Sequence, residues 1–209
     1  MLIDPFNYFN NNNNIIKTGN KEKAAQQLNS LLYNCIGFAN QPTENIIIGD
    51  SRIRNFSTER IKKLTGEDYY LLYSNAAKLN EMIDLFWFVN SKSKLKNVIL
   101  GVNFNLYNQY AYANRVKDVE EIIQNPLIYI FNQNVLESIY LSLKYEHIIS
   151  PKRDIKDKNK FWEYTINTVA KNHFEKYLYP KELLNRLTEI NLYCKRKDIN
   201  LKLIIVPSH

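Results

Sequence analysis

Four short, almost continuously apolar runs do most to limit what this chain can fold into. They are Asn45-Ile46-Ile47-Ile48-Gly49, Tyr69-Tyr70-Leu71-Leu72-Tyr73, Asn97-Val98-Ile99-Leu100-Gly101 and Leu201-Lys202-Leu203-Ile204-Ile205-Val206. Runs of this length, rich in β-branched residues and lacking alternation, suit strands buried on both faces of a parallel sheet. The segments between them read as amphipathic helices. Leu79, Met82, Ile83, Phe86 and Asn90 share one helical face, and so do Leu183, Leu187, Ile190 and Cys194. The second of these helices opens near Pro180 and Glu182 and closes on Lys195 to Lys197, charges that favour the helix dipole. Strands alternating with helices predict an α/β fold: a three-layer α/β/α arrangement around a parallel, flavodoxin-like sheet, with strand order 2-1-3-4 and right-handed crossovers.

Composition narrows the function classes. A chain of 209 residues that is 45% hydrophobic has material for one sizeable core, and five glycines and six prolines exclude collagen-like and low-complexity classes. Lys and Arg total 28 against 21 acidic residues, a net charge of +7, which raises nucleic acid, acidic glycan or an anionic membrane as partners. The basic residues fall in small groups such as Lys92, Lys94 and Lys96, or Lys152 and Arg153, without an arginine-rich stripe. A solvated surface is therefore the expectation, with no nucleic-acid partner. Cys35 and Cys194 lie far apart, with no Cys or His at ligand spacing, so no metal, cofactor or disulfide framework is expected. The start Met1-Leu2-Ile3-Asp4-Pro5-Phe6 has no basic n-region, and no run of about 18 apolar residues exists, so neither a secretory signal nor a spanning helix is read.

Along the chain, residues 1–43 read as an N-terminal arm, with a loop at Asn10 to Asn14 and a polar helix from about Lys21 to Tyr33. Residues 44–209 read as the α/β domain. A mostly helical insertion, 105–179, follows the third strand; it holds helices near Val116–Gln124, Val135–Tyr145 and Phe161–Tyr177 and a Lys/Asp-rich loop from Pro151 to Lys160.

In open parallel sheets ligands sit beyond the carboxyl ends of the strands, where strand order reverses. Order 2-1-3-4 makes Asp50-Ser51-Arg52 face Gly101-Val102-Asn103. Ser51 is then a candidate nucleophile, the Asn103 amide and the Ser51 N–H are candidate donors to an oxyanion, and Gly101 supports them. On spacing alone Ser51 reads more readily as a helix N-cap than as a nucleophile. Arg52 fits either an anionic substrate group or a neighbouring side chain.

Ile46-Ile47-Ile48-Gly49-Asp50-Ser51-Arg52 resembles block I (Gly-Asp-Ser) of the SGNH/GDSL hydrolases, and Gly101-Val102-Asn103 resembles their block III Gly-x-Asn. The two lie about fifty residues apart and in the family's order, and the resemblance extends over about residues 44 to 206. Asp4-Pro5-Phe6 and Asn103-Phe104-Asn105-Leu106-Tyr107-Asn108 are similar to segments of membrane-anchored, extracytoplasmic members that acylate cell-envelope polysaccharide and exopolysaccharide. The resemblance implies a metal-free serine esterase or O-acyltransferase acting on cell-envelope or secreted glycans. Ser51 would attack the acyl carbon, with Asp50, Arg52, Asn75, Asn105 and His209 at the substrate rim.

The chain departs from the family pattern twice. Ala76 or Ala77 stands where block II would place a glycine donor. The family's Asp-x-x-His base is absent: Lys144, Ala170 and Val206 precede His147, His173 and His209 by three residues. Without an oriented imidazole a serine stays protonated. The resemblance thus leads us to expect a truncated, inactive piece of a longer, membrane-anchored protein, with His209 as a frayed rim residue or a substitute base. The rival expectation is a non-catalytic SGNH-like module that binds glycan or assembles with envelope partners.

Overall fold

A computed structural model describes residues 3–10, 18–103, 108, 113–144 and 158–206. Asn105, His147, His209 and most of the Asn10–Asn14 and Pro151–Lys160 stretches lie outside the described residues.

The four apolar runs form β1 (Asn45–Asp50), β2 (Tyr70–Ser74), β3 (Asn97–Val102) and β4 (Asn200–Ile205). They make one all-parallel sheet in the order β2-β1-β3-β4. Ile48 pairs with Leu72 on one side and Leu100 on the other, so the glycine-ended strands β1 and β3 are neighbours.

Successive side chains point to opposite faces, and both faces of β1 are covered. Ile46 and Ile48, with Leu72, Val98 and Leu100, enter the larger hydrophobic cluster. Helices α1 (Thr18–Asn40), α3 (Leu79–Lys92), α4 (Arg115–Gln124) and α7 (Lys181–Lys197) contribute to it through residues such as Leu32, Phe86, Val119 and Ile190. Ile47 and Tyr73 face a smaller cluster with Ile53, Val206 and, from α2 (Thr58–Thr65), Ile61. Helices on both faces make the three-layer α/β/α architecture expected from the sequence.

Residues 18–40, expected as part of a lead-in arm, instead belong to the core. Leu31, Leu32, Cys35, Ile36 and Phe38 of α1 are buried in the same cluster as the central strands. The helix is longer than its sequence pattern suggests because it breaks and restarts. Asn29 has non-helical φ −147° and ψ 82°, and its Oδ1 accepts a hydrogen bond from the Leu32 N–H at 2.9 Å, the capping contact of a new helix start.

The insertion contributes α4, α5 (Pro126–Ile130) and α6 (Gln133–Lys144), followed by a helical run at 158–175. The sequence pattern anticipates α4 and α6 but not α5, which Asn125 caps through Leu127 N–H and Ile128 N–H at 3.0 and 3.5 Å, with Pro126 in its first turn. Tyr129 of α5 is the anchor for the amino-terminal segment. Its hydroxyl donates to Asp4 Oδ1, Asp4 Oδ2 accepts from the Phe9 N–H at 2.7 Å, and Tyr8 stacks on the Tyr129 ring at 4.2 Å. Asp4-Pro5-Phe6 is therefore a buried plug that ties the start of the chain to the insertion.

Candidate functional site

Where β1 ends, its last residue turns the chain. Asp50 Oδ1 accepts the Arg52 N–H at 3.0 Å, and a 3₁₀ turn at Ile53–Asn55 follows. This turn is held down by one side chain. A Cβ built on Gly49 or on Gly101 would stand 2.8 Å from Ile53 Cγ2. The two glycines thus form a flat floor across adjacent strands, and Ile53, fully buried, occupies it. A larger residue at either position would lift the segment that carries Ser51.

Above this floor, Asp50, Ser51 and Arg52 line a cleft of about 320 Å³ together with Ala76, Ala77, Lys78 and Asn103. The cleft sits where strand order reverses, at the carboxyl ends of β1, β2 and β3. Asn103 Nδ2 donates to Asp50 Oδ2 at 2.9 Å, and the Arg52 guanidinium pairs with the same oxygen. Asp50 and Asn103 are buried, whereas Arg52 and Ser51 reach the opening.

The alternative capping role of Ser51 is filled by other residues. Asp50 caps the turn, and Ser57 Oγ caps α2 by accepting the Arg60 N–H at 3.2 Å. No hydrogen bond joins Ser51 Oγ to another described residue.

The opposite wall comes from the loop after β2, the place where the sequence offers alanine for glycine. Ala76 adopts a left-handed φ of +53°, a conformation that a residue with a β-carbon enters at a cost of about 1–2 kcal/mol. The backbone therefore takes the shape that glycine would permit, and the Ala77 N–H closes the turn on Ser74 O at 3.3 Å. The loop is braced from behind. Glu81, fully buried at the start of α3, accepts two 2.7 Å hydrogen bonds from Arg115 and one of 3.0 Å from the Lys78 N–H. Arg115 also donates to Asn75 O at 3.1 Å. The charged, bidentate contact raises the arginine above its usual titration range, chiefly through the Glu81 hydrogen bonds.

The candidate residues divide accordingly. Asp50, Ser51, Arg52 and Asn103 meet in one cleft, and Gly101 lies beneath it. Asn75 is exposed beside the cleft and engages Arg115 through its carbonyl. Of Ile53, Lys78, Glu81 and Arg115, which support the site, three carry no sequence signal for it. Only Glu81 offers a hint, as an acidic residue in the first turn of an otherwise apolar helix face.

Two cations and one carboxylate, Arg52, Lys78 and Asp50, leave the cleft with one net positive charge. Among the described residues no group of three or more His, Cys, Asp or Glu could hold a metal ion, and no helix is long and apolar enough to cross a membrane. Comparison of the chain with protein-family models, with curated proteins and with solved structures finds no match.

Proposed function

We propose that the cleft is the acyl-transfer site of an SGNH-type serine esterase or O-acyltransferase acting on cell-envelope or secreted glycans outside the cytoplasm, with Ser51 as the nucleophile. The observation that carries this reading is that Ser51 and Asn103 line one cleft at the strand-order reversal. Ser51 Oγ would attack the acyl carbon and pass its proton to a base. The tetrahedral intermediate would then expel the alcohol, which takes up that proton, and leave an acyl-serine for water or a glycan hydroxyl to cleave. Negative charge on the carbonyl oxygen would fall near the Ser51 N–H and the Asn103 amide, and a placed donor of this kind is worth about 2.7–4 kcal/mol in the transition state.

The described lining supplies no imidazole. The chain by itself is therefore expected to have little or no turnover, and base supplied from outside should reveal the serine. Hydrolysis of an aryl acetate by the full chain, followed with and without added imidazole, tests this. The proposal expects stimulation that disappears in Ser51→Ala. Equal stimulation in that variant would overturn it.

A second reading has its own observation. Asn103 and Asp50 are already joined to each other and to Arg52, an arrangement that suits a rigid binding wall. A non-catalytic glycan-binding module would bind acetylated glycan undiminished in Ser51→Ala and show no acyl adduct.

A further inference from the structure

The described side chains of the helical run at 158–175 are largely solvated. Among its described side chains only Thr165 and Ala170 are even partly covered, while Trp162 is 47%, Ile166 62% and Phe174 53% exposed. Such apolar area is costly to leave in water, and a contiguous exposed patch marks an interaction surface.

The pattern of the run is regular. Trp162, Ile166, Ala170 and Phe174 follow each other at steps of four, and Phe161, Thr165 and Val169 form a parallel row one residue earlier. An α-helix turns about 100° per residue, so a four-residue step overshoots one turn by about 40° and a straight helix would wind these rows around itself. The middle of the run is instead π-helical, Thr165–Ala170, with continuous right-handed backbone at Tyr164 and Lys171 on either side. A turn bonded i to i+5 rotates less per residue and takes the overshoot back. The two rows consequently stay on one side as a single stripe. Glu163 and Asn167 flank the Trp162 and Ile166 row and share a surface hollow with it and Asn159.

The sequence of the run has a basic excess. Between 158 and 176 the sequence has four lysines (158, 160, 171 and 176) against Glu163 and Glu175, and Glu175 is shared with Lys171 at 3.8 Å. A run bearing a Trp and Phe stripe together with an excess of lysines has the composition of a helix lying in a bilayer interface, with aromatic rings at headgroup level. The chain's overall +7 charge adds attraction to anionic headgroups.

We infer that this helix is a docking surface for an anionic lipid bilayer, lying flat with the Trp162–Phe174 stripe among the acyl-chain boundaries. This inference is independent of the reaction proposed for the cleft.

The test uses the full chain with vesicles of phosphatidylcholine alone and of phosphatidylcholine with about one-third phosphatidylglycerol; binding is expected to be about tenfold or more tighter on the anionic vesicles. Brominated lipids should quench Trp162, a signal separable from that of half-buried Trp87 by its loss in Trp162→Ser. The pair Trp162→Ser with Ile166→Ser should abolish binding, and Lys160→Glu with Lys171→Glu should erase the preference for anionic lipid. Circular dichroism and melting should be unchanged in both pairs, since no described side chain of the run is buried. Binding to neither vesicle, binding that survives the Trp162/Ile166 pair, or lipid-free self-association lost in that pair would each overturn the inference, the last pointing to a second copy of the chain.

Discussion

Asn103 Nδ2 donates to Asp50 Oδ2 at 2.9 Å and so couples the carboxyl ends of the two central strands within the cleft wall. A hydrogen bond to a buried charge of this kind is worth about 1.5–3 kcal/mol. Asn103→Ala should lower the unfolding free energy by that amount. Arg52 reaches the same carboxylate from the rim, where an ion pair with a solvated partner is worth about 0–1 kcal/mol. Arg52→Ala should therefore cost less than Asn103→Ala, and urea unfolding of the two variants checks the order.

The contact of Ile53 with Gly49 and Gly101 predicts coupled substitutions. Gly101→Ala inserts a β-carbon 2.8 Å from Ile53 Cγ2 and 3.1 Å from Val206 Cγ2. Overpacking of this sort costs about 1–3 kcal/mol. Ile53→Ala alone costs about 2–5 kcal/mol through the cavity it leaves. Because the new methyl would occupy part of that cavity, the double variant should lose clearly less than the sum of the two. Strict additivity in denaturant unfolding would contradict the packing described.

Ala76 offers a test in the opposite direction. Glycine enters the left-handed region without the β-carbon penalty, so Ala76→Gly should stabilise the fold by up to about 1 kcal/mol despite the added freedom of the unfolded chain. Thermal melting reads the sign directly.

Alkaline pH should weaken the protein. Burial pushes the Cys194 thiol up to about 11 and raises the Cys35 thiol further, with Glu120 adding to the effect on Cys35. Burial also raises the Tyr70 phenol, and Tyr129 is raised by burial and then by the adjacent Asp4 carboxylate. Each group holds its proton more tightly when folded. Their stabilisation is complete below the range where the unfolded groups ionise, about 8.5 for Cys and 10 for Tyr, and is lost as pH climbs towards the folded values. The urea midpoint should be level up to about pH 8 and fall steadily above it.

The sheet was legible because its evidence is local. Runs such as Ile46-Ile47-Ile48 state their own burial, and the helices between them carry their periodicity within a dozen residues. The switch-point rule then brought Ser51 opposite Asn103 without any contact being visible in the sequence. What escaped was what joins distant residues or breaks a period. The Asn29 break resets the phase of α1 and disguises a core helix as a polar arm. Asp4 meets Tyr129 and Glu81 meets Arg115 across long stretches of chain, so neither pair leaves a spacing to read. The floor formed by Gly49 and Gly101 is likewise a property of two strands lying side by side. The step-of-four pattern at 161–174 drifts on an ideal α-helix and becomes a stripe only through the π turn.

The rate of acyl-adduct formation is the most direct measure of the joint action proposed for Ser51 and Asn103. The full chain is incubated with an activated aryl acetate and imidazole, and the adduct is mapped and timed by mass spectrometry. One acetyl group is expected on Ser51, absent in Ser51→Ala and formed about 10²–10³ more slowly in Asn103→Ala once folding is verified. Acetylation at other residues only, or an Ser51 adduct that forms at the same rate without the Asn103 amide, would contradict that joint action.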